Sequence, residues 1–95
     1  MMNLIECPSE LDIASVGALH QQLLSALQTP GPLEIDGRAI QKIHTAALQL
    51  FLGFMSEARS QGLSAKWRDP SPAVLEGARL LGLTGSLGLE TTSTP

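Results

Sequence analysis

The stretch LEIDGRAIQKIHTAALQLFLGFMSEARSQG, residues 33–62, decides the fold, because its apolar period changes partway along from two to about three and a half. Leu33, Ile35 and Gly37 alternate with Glu34, Asp36 and Arg38, the pattern of a strand with one polar face. From about Thr45 to Gln61 the pattern is helical. Leu48, Phe51, Leu52, Met55 and Ala58 form the main stripe, and Leu50 and Phe54 widen it until the first half is apolar nearly all round. Such a helix is either covered on two sides or offers an apolar surface to a partner. Gly62 stands where a helix end takes up a left-handed residue.

Working outward, the same alternation of strand and helix repeats on both sides. Upstream, Leu4 to Cys7 is a short extended run stopped by Pro8. Val16, Leu19, Leu23 and Leu27 then recur at helical spacing, with Ser15 as the expected N-cap and Pro30-Gly31-Pro32 as the stop. Downstream, Leu63 to Arg68 alternates as a strand. Ser71 and Pro72 read as the N-cap and first residue of a last helix, whose buried face is Val74, Leu75, Ala78 and Leu81. Gly82 ends it, Leu83 to Leu89 reads as a short strand or turn, and residues 90–95 read as a disordered tail beyond one domain spanning 1–89. Strands joined through helices run parallel, so the order predicts an α/β fold.

Composition narrows the function. The chain is 43% hydrophobic and 16% charged, which is globular rather than disordered. Six Lys and Arg, scattered from Arg38 to Arg79, against a net charge of -3 make no basic stripe, and the three aromatics are too few for base stacking, which argues against nucleic acid. The longest apolar stretch, Ala46 to Met55, is far short of the ~20 residues that span a bilayer. A single Cys7 fits a reducing compartment, and with no Lys or Arg before Arg38 there is no charged n-region of a secretory signal. These features predict a cytoplasmic protein that does not insert into the membrane. His20, His44 and Cys7 lie far apart in sequence and suggest no metal site. No Gly-x-Ser-x-Gly elbow or P-loop occurs, so the expectation is a protein without catalytic residues or cofactor.

Four pieces in order carry a resemblance: Glu10-Leu11-Asp12-Ile13-Ala14-Ser15, then Ile35-Asp36-Gly37, then Ile43-His44-Thr45-Ala46-Ala47-Leu48, then Asp69-Pro70-Ser71-Pro72. Together they resemble the STAS domain, a family that includes anti-sigma-factor antagonists and the small cytoplasmic subunit of bacterial phospholipid-transport ABC systems. The resemblance covers roughly Leu4 to Leu89. It implies a small mixed β-sheet of about four strands covered by three to four helices, and a role in protein–protein regulation. In the antagonist branch a Ser or Thr at the N-terminus of the second helix is phosphorylated by a partner kinase, and that position falls on Thr45. The family usually has Asp just before it and Gly two residues after it, where this chain has His44 and Ala47.

The expected partner-binding residues are therefore Asp12, Ser15, Asp36, His44, Thr45, Ala46, Ala47 and Leu48. Thr45 is open to two readings: a plain N-cap, or a phosphorylation site whose added charge repels a partner matched to Ala46, Ala47 and Leu48. His44 is either an idle loop residue or a group that holds a phosphate or an acidic partner. The expected partner is a serine kinase or anti-sigma factor; the alternative is an ABC-type ATPase in phospholipid transport, bound without phosphorylation. A weak homodimer through the apolar second helix is a further arrangement.

Overall fold

The computed structural model describes residues 3–29 and 31–89; the tail expected over 90–95 lies outside the described residues, as do Pro30 and the first two residues. The chain runs β1 (Asn3–Glu6), β2 (Glu10–Leu11), α1 (Ile13–Gln28), β3 (Leu33–Asp36), β4 (Lys42–Ile43), α2 (Thr45–Ser60), β5 (Ala65–Arg68) and α3 (Pro72–Leu80). The α/β class and the three helices are as the sequence implies.

All described strand pairs are parallel. β1, β3 and β5 form one sheet in that order, with Asn3 opposite Leu33 and Leu33 opposite Ala65. β2 and β4 form a second small ladder, Glu10 opposite Lys42 and Leu11 opposite Ile43. The expected mixed sheet is thus replaced, among the described residues, by two parallel ladders. The reason lies in the connections, since every long link between paired strands passes through a helix.

β1–β2 and β3–β4 behave as two broken strands that pair on both sides of their breaks. Pro8, which has no N–H to give a ladder, sits in the first break. The second break is two residues longer. Its slack is taken up at Arg38-Ala39, and the Ser9 carbonyl accepts from both the Gln41 and Lys42 N–H groups as pairing resumes.

The core lies between the sheet and α2. Phe51 is fully buried and meets the Trp67 ring edge-on at 4.9 Å. Around it close Ile35, Leu11, Ile40, Val74 and Leu87. The width of the α2 stripe is explained by cover on more than one side: α2 packs on α1, α3 and β5, and buries Ala47, Leu48, Phe51, Phe54, Met55 and Ala58. α3 turns Val74 and Ala78 inward, but Leu75 and Leu81, expected on the same face, are 37% and 43% exposed. Gly62 and Gly82 follow the C-caps of α2 and α3 with φ of +74° and +70°, as the C′ position requires. Among the described residues no helix is long and apolar enough to cross a membrane.

Candidate partner-docking site

The β2–β4 ladder sets the geometry of the site. Its last pair is Leu11 and Ile43, and each strand passes through one further residue into a helix. Those residues, Asp12 and His44, are the N-caps of α1 and α2. Two helix N-termini therefore begin side by side, above an open groove of about 240 Å³ lined by Glu10, Leu11, Asp12, Lys42, Ile43 and His44.

Asp12 caps α1 by accepting from the Ser15 N–H and the Ser15 hydroxyl, both at 3.0 Å. The hydroxyl and then the N–H of Ser15 hold the Asp12 carboxyl below its ordinary range. Ser15 is thus not the N-cap expected from the sequence; it is the third residue of the helix and serves the true cap three residues earlier. Helix start and cap shift together because a carboxylate at Asp12 is at least as good an acceptor as a serine hydroxyl.

His44 caps α2. Its backbone N–H donates to the Leu11 carbonyl at 2.8 Å, tying it to β2. Its Nδ1 accepts from the Ala46 N–H at 3.0 Å, and its carbonyl accepts from the Ala47 N–H at 2.9 Å. Thr45, for which a capping role was one expectation, is the first residue inside the helix. Its side chain is exposed and makes no hydrogen bond to another described residue.

The expected site residues divide into two groups. Asp12, Ser15, His44, Thr45 and the half-buried Ala46 come together at the paired helix starts. Ala47 and Leu48 do not belong to that surface: they are 0% and 2% exposed, because the first turn of α2 already points its apolar side at the core. Leu48 instead lies against α3, where a Cβ on Gly77 would come within 3.0 Å of its Cδ1.

Asp36 is also withdrawn from the partner surface. It is only 6% exposed and does not line the groove. One carboxylate oxygen accepts from the Arg38 N–H at 3.1 Å, and the other pairs with the Arg38 guanidinium at 3.0 Å. The Arg38 N–H, then the Arg38 charge and more weakly Arg68, hold this carboxyl below its ordinary range although burial opposes them. Asp36 is a turn organiser for the longer strand break. Nearby Cys7 is buried, and burial followed by the Asp36 charge pushes its thiol up to about 11. Among the described residues no three His, Cys, Asp or Glu side chains gather as a metal site would need.

Sequence reasoning passed over one residue of this end. Ile13, the first residue of α1, is 69% exposed beside Asp12. With Ser15 taken as the cap, Ile13 fell outside the helix; with Asp12 as the cap, it sits on the first turn, away from the Leu19–Leu23 stripe.

Residues 4–91 match the family model described as Mlab, STAS domain. No curated protein matches the chain.

Proposed function

The chain belongs to the STAS family, whose members are protein-interaction and regulatory modules, and from this we propose that it docks a regulatory partner protein on the paired starts of α1 and α2, with Thr45 as the control point. The observation that carries this reading is the division of labour at α2. His44 does the capping, which leaves the Thr45 hydroxyl exposed and free of a structural role. A phosphate there would lie at the positive end of the helix dipole, so the fold tolerates it. It would also add about -1.5 to -2 charges to the paired helix starts, which carry the exposed Ile13 and the half-buried Ala46, and so repel an apolar partner fitted there. On this reading the partner is a serine kinase or anti-sigma factor, the protein works in the cytoplasm, and it has no catalytic activity of its own.

A second reading starts from the same family membership, since the family that the sequence resembles also includes the small subunit of phospholipid-transport ABC systems. Here the same face docks on an ABC-type ATPase and Thr45 is a contact residue that is never modified.

One experiment separates the two. Tagged chain is used to capture partners from native lysate, and capture is repeated with Thr45→Glu and Thr45→Ala. The switch predicts a recovered kinase or anti-sigma factor, binding kept by Thr45→Ala, and at least a tenfold loss with Thr45→Glu. Recovery of an ATPase subunit with both variants binding equally overturns the switch in favour of the transport reading.

A further inference from the structure

His44 is bonded to α2 in a way that depends on a proton. The N–H of Ala46 is at the second helical position, where no carbonyl lies one turn back within the helix to accept it. Its acceptor is the Nδ1 of His44 at 3.0 Å. An imidazole nitrogen accepts only through its lone pair, so this bond requires the neutral ring with its proton on Nε2. Once protonated, both ring nitrogens are donors. The Ala46 N–H would then face another N–H, and a positive charge would stand at the positive end of the helix dipole.

We propose that His44 is a proton-released cap: neutral, it fixes the first turn of α2, and protonated, it lets that turn go. Histidine is the side chain that can change from acceptor to donor at this nitrogen by taking up one proton. An Asp or Asn at this position would cap without such a response near neutrality.

The surrounding charges are few. Glu10 on β2, Asp12 at the start of α1 and Lys42 on β4 share the groove with His44. The first turns of α1 and α2 contain no acidic residue, and Glu76 and Arg79 of α3, which packs on β4, are paired with each other. Asp12 is held ionised by Ser15 and stays charged while an imidazole titrates. The loosening is confined to the first turn, because Ala47 and Leu48 are locked in the core. Thr45 lies within that turn, so release changes how its hydroxyl is presented. That consequence for docking rests on the proposed function above; the response of the cap does not.

The test is amide exchange and ¹⁵N NMR of Ala46 from pH 8 to 5.5 in the full chain. It is done in a His20→Asn background, which leaves His44 as the single histidine. The expected result is that Ala46 loses about five- to tenfold of its protection, corrected for intrinsic exchange, along the same curve as the His44 ring. His44→Asn, which still caps, should stay protected throughout; His44→Ala should be unprotected at both ends. Protection that stays flat while the ring titrates, or the same transition in His44→Asn, overturns the proposal. Since no partner is present, that failure leaves the docking reading standing, and equal binding by the Thr45 variants leaves the cap result standing.

Discussion

At the scale of single residues, the two aspartates of the strand–helix unit do different work for one electrostatic reason: each carboxylate sits where local N–H groups favour its charged form. Asp12 faces solvent and serves Ser15; Asp36 faces inward and serves Arg38. A carboxyl held low in the folded state contributes stability above its unfolded value of ~3.9 and loses it as pH falls through the folded value. Asp36→Asn should therefore melt a few degrees below the parent at neutral pH, with the gap closing as the solution is acidified below about pH 4. Paired thermal melts across that range check it, and a gap of constant size down to about pH 2 would show that the charge of Asp36 is not what stabilises the turn. Nothing in the local residue pattern separates the two. Both are acids just after an apolar strand residue, and only the two extra residues in the second break make Asp36 curl back onto Arg38.

At the scale of elements, the sequence was most legible where a period runs for several turns and least where an element has two residues. The α1 and α2 stripes, the Ser71–Pro72 start and the glycines after α2 and α3 all stand where they were expected. β2 and β4 went unread, because a two-residue strand has no period, yet it is their pairing that sets the two helix starts side by side. Leu75 and Leu81 show the opposite error: they fit the helical stripe, but α3 spans nine residues and has neighbours for only part of it. Glycines divide by the same logic of neighbours. A Cβ on Gly37 would come within 3.2 and 3.3 Å of the Trp67 ring and 3.4 Å of the Pro70 Cα. That ring cannot step aside, since its Nε1 donates to the Leu87 carbonyl at 2.9 Å and it packs in an edge contact with Phe51. Gly37→Ala should cost ~1–3 kcal/mol. Gly53, in the exposed interior of α2 with nothing within 4 Å of its Cβ position, should instead gain up to ~1 kcal/mol as Ala. Denaturant melts followed by the fluorescence of Trp67, the single tryptophan, read both changes.

At the scale of the whole molecule, the parallel arrangement followed from the alternation of strands and helices, but the closure of the core did not follow from any periodicity. Leu83 to Leu89 contains leucines separated by Gly, Thr and Ser, too irregular for a strand or helix to be preferred. The segment folds as successive turns, with Leu87 N–H donating to Leu83 carbonyl at 2.8 Å and Leu89 N–H to Thr84 carbonyl at 2.9 Å. These turns push Leu87 and Leu89 into the core at 0% and 5% exposure, and hold them there through the Trp67 indole and an Arg59 contact to the Ser86 carbonyl at 3.4 Å. A segment without regular structure thereby becomes the floor under α2 and β5. Leu87→Ala should cost ~2–5 kcal/mol, as much as a truncation inside a helix, because the surrounding Phe51, Trp67 and Met55 are fixed and can refill the void only partly. Solvent-exposed Leu80→Ala, 70% exposed at the end of α3, is the matched control and should stay within ~0.5 kcal/mol of the parent. Equal losses for the two in urea melts would mean that the turn segment does not close the core. A large loss confined to Leu87 would make it a structural part of the module that presents the helix starts to a partner.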